Sequence, residues 1–401
     1  MGARARRVKR FTRMVRGFGL WDTLRYAAQN RAALHPGLSR VHRWLTAPVL
    51  REVRRTGRLP LPRFLSVYPT WRCNLACAMC HQRDRPASAA AEEFSVQDWR
   101  NLLEGPNGAY ITAVRFLGGE DFVRADLPDL FDVCEAHEVS FYITTNGTLF
   151  RPELVRRLER YRSLAGIVLS LDGPREVHNR LRGRDTAFDR LVDGVRLFES
   201  RERLSINSVV TADTVGHMQR VVDIAADLGI RRVGFNLEGY VSRQDIVATQ
   251  QAIERITGTS VECLGDVKDT HAPRAEPSAI RAAWAQAQAR GRARSVRLSL
   301  EPRMFFRDLD RYASGETLGP GAVCGHLAID PHAKMAPTGD LFPCEGMPLS
   351  FGNLFEQDLS EIWNSPSFCA LRKALAHELP PRCRRCCLVA FVEPPAQGRQ
   401  S

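Results

Sequence analysis

The sequence predicts an α/β fold: a partial (β/α)6 TIM-like barrel with a helical N-terminal extension and a small cysteine-rich C-terminal extension. Three observations predict it. Between residues 64 and 240, six short apolar, β-branched stretches alternate with helical ones, the pattern of parallel βα units wound right-handed. Residues 1–62 show helical spacing and no strand pattern. Residues 321–390 are short-segmented and hold Cys324, Cys344, Cys369, Cys383, Cys386 and Cys387. An open doubly wound sheet would give a similar string, and the barrel fits it best.

Taken in order, the N-terminal extension places Leu20, Trp21, Leu24, Tyr26, Val41, Trp44 and Leu45 at amphipathic spacing, interrupted by His35-Pro36-Gly37 and closed by Pro60 and Pro62. The strands of the barrel, residues 63–240, are expected at Phe64–Tyr68, Ile111–Leu117, Ser140–Thr144, Gly166–Leu171, Ser205–Val210 and Arg232–Leu237. Helices are expected between them at Ser95–Leu103, Leu127–Ala136, Pro152–Tyr161, Ala187–Ser200 and Thr214–Leu228. Ser95 reads as an N-cap answered by Asp98, a short-armed capping box. Residues 241–320 read as a helical connection with a lone strand near Val296–Leu300, and residues 391–401 as a tail.

Charge is unevenly placed. Residues 1–58 hold 15 Lys/Arg against Asp22 and Glu52, a net +13, so the remainder of the +12 chain totals −1. A neutral catalytic part argues against a nucleic-acid enzyme, because such proteins carry basic surface on the binding fold itself. The basic segment reads as a cap on the barrel in preference to a peripheral membrane contact. No apolar run reaches the roughly 18–20 residues of a spanning helix, and no secretion signal is evident. The expected location is cytoplasmic. Eleven cysteines in such a chain point to metal in preference to a disulfide framework.

Cys73, Cys77 and Cys80 follow the first strand directly. Three thiolates within eight residues suit three corners of a cubane and leave the fourth iron open to a small chelating molecule. Structural zinc wants four closed ligands, and His81 lies too near Cys80 to join easily. The run Cys-x3-Cys-x2-Cys resembles the radical S-adenosylmethionine (SAM) superfamily. The resemblance implies a 4Fe–4S cluster that chelates SAM through its amino and carboxylate groups. It also implies reductive cleavage to a 5′-deoxyadenosyl radical that abstracts hydrogen from a substrate, with a reductant such as flavodoxin or ferredoxin as partner. Met79 stands where the family usually has an aromatic residue.

Further residues fit the same family. Gly118, Gly119 and Glu120 end the second strand like its Gly-Gly-Glu motif, whose main chain and acid bind the SAM amino group; glycine permits close approach and a carboxylate complements an ammonium. The family often continues with proline, and this chain has Asp121. By the same resemblance Ser170 and Arg182 contact the SAM carboxylate, and Asn207 fits a weaker family position, as does the turn Asn146-Gly147. Asp172, His178 and Glu238 lie at or just after strand C-termini and are candidate bases for a substrate radical, each with a plain hydrogen-bonding role as the alternative.

In the C-terminal segment, spacing alone allows zinc or iron–sulfur. The order Cys324, Gly339-x4-Cys344, Gly352-Asn353-Leu354 and Cys383-x2-Cys386 resembles SPASM and twitch extensions. Cys324, Cys344, Cys383 and Cys386 are then the expected ligands of one auxiliary 4Fe–4S cluster, with Cys387 able to replace Cys386. Cys134 reads as core, while Cys263 and Cys369 have no assigned role beyond packing or hydrogen donation to a substrate radical. The absence of strands in residues 1–62 favours a small-molecule substrate over a peptide, oxidised or epimerised as a sugar-like or aminocyclitol intermediate. Maturation of a ribosomally made peptide is the alternative enzyme reading. A non-catalytic metal-binding interaction protein is the alternative of another class.

Overall fold

The computed structural model describes residues 39–80, 82, 92–263, 266–267, 274–302, 308–318 and 321–391. The expectations for the basic segment before residue 39, for His81 and for the tail from residue 392 lie outside the described residues. Among the described residues no helix is long and apolar enough to cross a membrane.

Helix α1 (Ser39–Thr56) precedes β1 (Phe64–Val67), α2 (Val96–Glu104), β2 (Ala113–Phe116), α3 (Leu127–Ala136), β3 (Ser140–Thr145), α4 (Pro152–Arg160) and β4 (Leu164–Ser170). Then come α5 (Arg175–Arg182), α6 (Ala187–Arg196), β5 (Leu204–Val210), α7 (Met218–Asp227), β6 (Arg232–Leu237), β7 (Tyr240–Val241) and α8 (Arg243–Thr257). The chain continues through β8 (Asp266–Val267), α9 (Pro277–Arg294), β9 (Arg297–Glu301), α10 (Leu309–Ser314), β10 (Ala322–Cys324) and α11 (Gly325–Ala328). It ends with β11 (His332–Met335), β12 (Leu341–Phe342), α12 (Leu359–Trp363), α13 (Pro366–His377) and β13 (Val389–Phe391).

One sheet carries the molecule, in the order β12-β11-β1-β2-β3-β4-β5-β6-β9. All neighbours in it are parallel except β11 and β12. The six expected strands lie side by side in chain order, which is the partial barrel. Two expectations need correction. The strand near Val296–Leu300 is not alone: Arg297–Glu301 pairs with β6 and extends the sheet. The C-terminal segment is also not wholly apart, because His332–Met335 pairs with β1 at the opposite edge.

Alternation along each strand sorts its side chains. Leu65, Val67, Val114, Phe116, Phe141, Ile143, Ile167 and Leu169 are buried against the outer helices. Phe116, Phe131 and Phe141 meet Trp99 and Tyr161 in edge and stacked contacts, each worth about 0.5–1.5 kcal/mol beyond burial. Tyr142, Thr144, Val168, Ser170, Asn207 and Asn236 point the other way and are only half-buried, so the inner face of the sheet is largely polar. The Ser95–Asp98 capping box forms in both directions and starts α2 as expected. Helix α5, over Arg175–Arg182, was not anticipated; it is a short, charge-rich turn ended by Gly183 at φ 64°.

Helix α1 belongs to the C-terminal lobe. Arg54 Nε donates to Ala376 O at 3.0 Å, and Trp363 Nε1 donates to Pro60 O at 2.9 Å. Gly57, at φ 74°, lies so close to the Cys369 carbonyl that a Cβ would overlap it.

Candidate functional site

The loop after β1 carries Cys73, Cys77 and Cys80, exposed to half-buried, and three neighbouring loops hold it in place. From the end of β2, Gly119 N–H donates to Thr70 O at 3.1 Å and Glu120 N–H to Arg72 O at 2.9 Å. A Cβ on Gly118 would overlap the Thr70 carbonyl, and one on Gly119 the Arg72 carbonyl. The close approach that these glycines permit is therefore to the cysteine loop itself. From the end of β3, Asn146 Nδ2 donates to Asn74 Oδ1 and Asn74 Nδ2 to Thr148 Oγ1, both at 2.9 Å. From the end of α5, the Leu181 carbonyl accepts from Ala78 N–H at 2.8 Å.

Glu120 is buried beneath this loop. Thr145 Oγ1 donates to one carboxylate oxygen at 2.6 Å and the Asn146 N–H to the other at 2.7 Å. Burial pushes its carboxyl up to about 7, against the pull of those donors. Asp121 beside it is fully buried with neither oxygen hydrogen-bonded, and burial, then the Glu120 charge, raises it well above the usual range.

Asp172 ties three elements together. Its Oδ2 accepts from Arg182 Nε at 2.7 Å and Nη2 at 2.6 Å, and its Oδ1 accepts the Val209 N–H at 2.9 Å. Arg182, so held, places Nη1 3.7 Å from the Cys77 sulfur. Burial works against its charge, and Asp172 and Cys77 more than offset that. His178 accepts the Asp172 N–H on Nδ1 at 3.3 Å, and burial, then Arg182, lowers it to about 4. Both residues were expected as candidate bases. In the structure Asp172 is ion-paired with Arg182 and His178 is a buried acceptor of the Asp172 N–H, the hydrogen-bonding arrangement given as the alternative. Glu238 stays at the C-terminal end of β6, nine-tenths buried, its N–H on Val210 O.

Ser170 is paired in register with Asn207, whose side-chain oxygen accepts from Asn236 Nδ2 at 2.9 Å. Glu120 lies in the loop after β2, Ser170 ends β4, Arg182 ends α5 beside Cys77, and Asn207 is the middle residue of β5, paired with Ser170. The donor set of three thiols, with a buried acid and an arginine beside them, fits a cluster chelated by an amino acid.

The second cysteine set is assembled across the C-terminal lobe. Register places Cys324 opposite Val389, whose N–H bonds the Cys386 carbonyl. Cys344 follows β12 and bridges Met347, and Cys383 lies in the turn Pro381–Arg385 with its carbonyl on Cys386 N–H. Burial, opposed by the Arg382 charge, drives the Cys383 thiol well up, and the charges of Cys344, Cys386 and Cys324 push it the same way. Arg382 packs against Gly346 among them. Among the described residues no three ligating side chains stand at single-ion spacing. Cys387 shares a hydrogen bond with Cys386, leaving both as the fourth ligand on geometry. Cys134 is core, Cys369 packs on α1, and Cys263 is buried close enough to Cys344 and Arg382 to feel their charges.

Between the two sets lies a buried polar bridge that sequence reasoning missed. Lys334 Nζ donates to Glu345 at 2.6 Å, and the Tyr68 hydroxyl donates to the same carboxylate. Only the pairing of β11 with β1 brings these residues together, so no local spacing announces them.

These features define an iron–sulfur protein built on a partial barrel. Family models make the assignment definite: residues 67–211 match the radical SAM superfamily, and residues 324–387 the SPASM iron–sulfur cluster-binding domain. The chain belongs to the radical SAM superfamily and carries a SPASM extension, so SAM, a 4Fe–4S cluster and an auxiliary iron–sulfur centre are its cofactors.

Among its relatives, the AdoMet-dependent heme synthase of Methanosarcina barkeri is 25% identical over 81% of this chain and 88% of its own. The PqqA peptide cyclase of Ruegeria pomeroyi is 26% identical over 82% of this chain and 80% of its own. In fold the chain is similar to Streptococcus suis SuiB bound to S-adenosylmethionine, with a TM-score of 0.57 and 20% identity over 80% of this chain and 70% of that one.

These relatives overturn the preference for a small-molecule substrate over a peptide. One matched along most of its length is named for work on a peptide, and neither is named for a sugar or aminocyclitol. The expectation had rested on residues 1–62 lacking strands, and that bears on an appended recognition domain, not on what the barrel lumen accepts.

Proposed function

We propose that this radical SAM enzyme matures a ribosomally made peptide or protein, by crosslinking or oxidising a residue. The observation that carries the reading is the similarity to a peptide cyclase over four-fifths of both chains.

When bound, the catalytic cluster supplies the electron that cleaves SAM into methionine and the hydrogen-abstracting radical. Cys73, Cys77 and Cys80 hold that cluster. Glu120 receives the SAM ammonium, and Ser170 and Arg182 receive its carboxylate, with Asp172 fixing the direction of the guanidinium. Asn207 and Asn236 line the lumen below. Cys324, Cys344, Cys383 and Cys386 hold the auxiliary centre. Glu238 is the remaining candidate to take a proton from the substrate.

The test is anaerobic turnover with SAM, dithionite and a peptide library, read by 5′-deoxyadenosine and by mass spectrometry. Peptide-dependent 5′-deoxyadenosine together with a peptide whose mass shifts is the expected result. Stimulation by an iron porphyrin and by no peptide would contradict the reading and move the chain toward its heme synthase relative.

A further inference from the structure

Below the cysteine loop the lumen holds a cation for which the SAM and cluster contacts have no use. Arg115 points inward from the middle of β2, level with Ser66 on β1 and Tyr142 on β3; Lys334 on β11 stands at the same level beyond Ser66. Its guanidinium lies 5.7 Å and 5.9 Å from the ring centroids of Phe64 and Tyr142. Among the described residues its Nε has no hydrogen-bond acceptor and no carboxylate pairs with it. Lys334, by contrast, is neutralised by Glu345.

The adjoining wall carries two histidines. His332 lies tilted against Phe64 with ring centroids 4.8 Å apart, stacks on His326 at 4.3 Å, and shares a 2.6 Å hydrogen bond with Ser66. His326 Nδ1 is also buried without a partner. A largely buried guanidinium normally has a bound counter-charge, because losing water without one costs several kcal/mol per ion. Two aromatic faces flank this one and leave its fork-shaped edge as the side that can bind, a geometry suited to a carboxylate.

We propose that Arg115 is the substrate-binding residue that receives a carboxylate, the side chain of a glutamate or aspartate or the C-terminal carboxylate of the peptide. The peptide part of this rests on the function proposed above; the carboxylate part does not. Binding there would dock the acidic group deep in the lumen and leave the adjoining residue nearer the SAM end.

Titration calorimetry on the anaerobically reconstituted protein tests this with a blocked tripeptide centred on glutamate, its glutamine counterpart, and free glutarate. The glutamate peptide and glutarate should bind at least about tenfold tighter than the glutamine peptide, the value of one charge-assisted pair. Arg115→Gln should remove that preference while keeping wild-type iron content and a melting temperature no lower than wild type, and Arg115→Lys should restore part of the preference. No preference in the wild type, or a preference that survives in Arg115→Gln, overturns the proposal. Glutarate bound through Arg115 with the glutamate peptide excluded would keep the carboxylate site and overturn the peptide reading alone.

Discussion

Glu120 and Asp172 show how single buried carboxylates set the chemistry of this site. Glu120 is held at about 7 by burial. A proton on it competes with the SAM ammonium, so SAM affinity should weaken as pH falls through that value and level off above it. Equilibrium binding is expected to lose about tenfold per pH unit below the transition, and Glu120→Gln should bind weakly at every pH. Burial, then the Glu120 charge, holds the neighbouring Asp121 well above the usual carboxylate range. The stability sign is opposite: the folded value lies above the ordinary 4.5, so SAM-free protein gains stability as pH falls from about 7 toward 4.5. Asp172→Ala strands Arg182 as an uncompensated buried charge. It should cost about 3–5 kcal/mol in denaturant unfolding and weaken SAM binding as well. The cysteines, Gly118 to Glu120 and Arg182 were legible because their types and spacing are local. Thr145, Thr148 and Arg115 were not, since only the pairing of strands brings them to the site; Asn74 lies within the cysteine motif, but its contacts with Asn146 and Thr148 depend on the neighbouring loop.

The cysteine loop is an element held by backbone contacts more than by side chains. Gly119 sits against the Arg72 carbonyl, so Gly119→Ala must push the loop away from the end of β2. The expected outcome is loss of iron from the first site, with far-ultraviolet dichroism unchanged because both the glycine and the loop lie outside the helices and strands. Full iron content in that variant would show that the contact is dispensable. The barrel strands were legible because Val, Ile and Leu alternate along them and turn residues bound them. Helix α5 was missed because eight residues with three arginines give a weak apolar signal, although Gly183 marks its end. The strand Arg297–Glu301 could be read as a strand, but not as part of the sheet, because its partner lies about sixty residues away across α8 and α9.

At the scale of the molecule, the sheet joins the two cysteine sets: β1 carries the first loop and pairs with β11, whose hairpin partner β12 leads to Cys344. The SPASM-type lobe is therefore continuous with the barrel, with α1 strapped across its back. The cysteine-rich segment announced a metal site through its spacing. Its sheet contribution was hidden, because four-residue and two-residue strands leave little pattern.

The most direct test is an iron and sulfide count on protein reconstituted without oxygen, run with two variants. One replaces Cys73, Cys77 and Cys80 with Ala, and the other replaces Cys324, Cys344, Cys383 and Cys386. The structure predicts about eight irons in the wild type and about four in each variant, with 5′-deoxyadenosine formation abolished in the first. About four irons in the wild type, unchanged in the second variant, would contradict an auxiliary cluster in the C-terminal lobe.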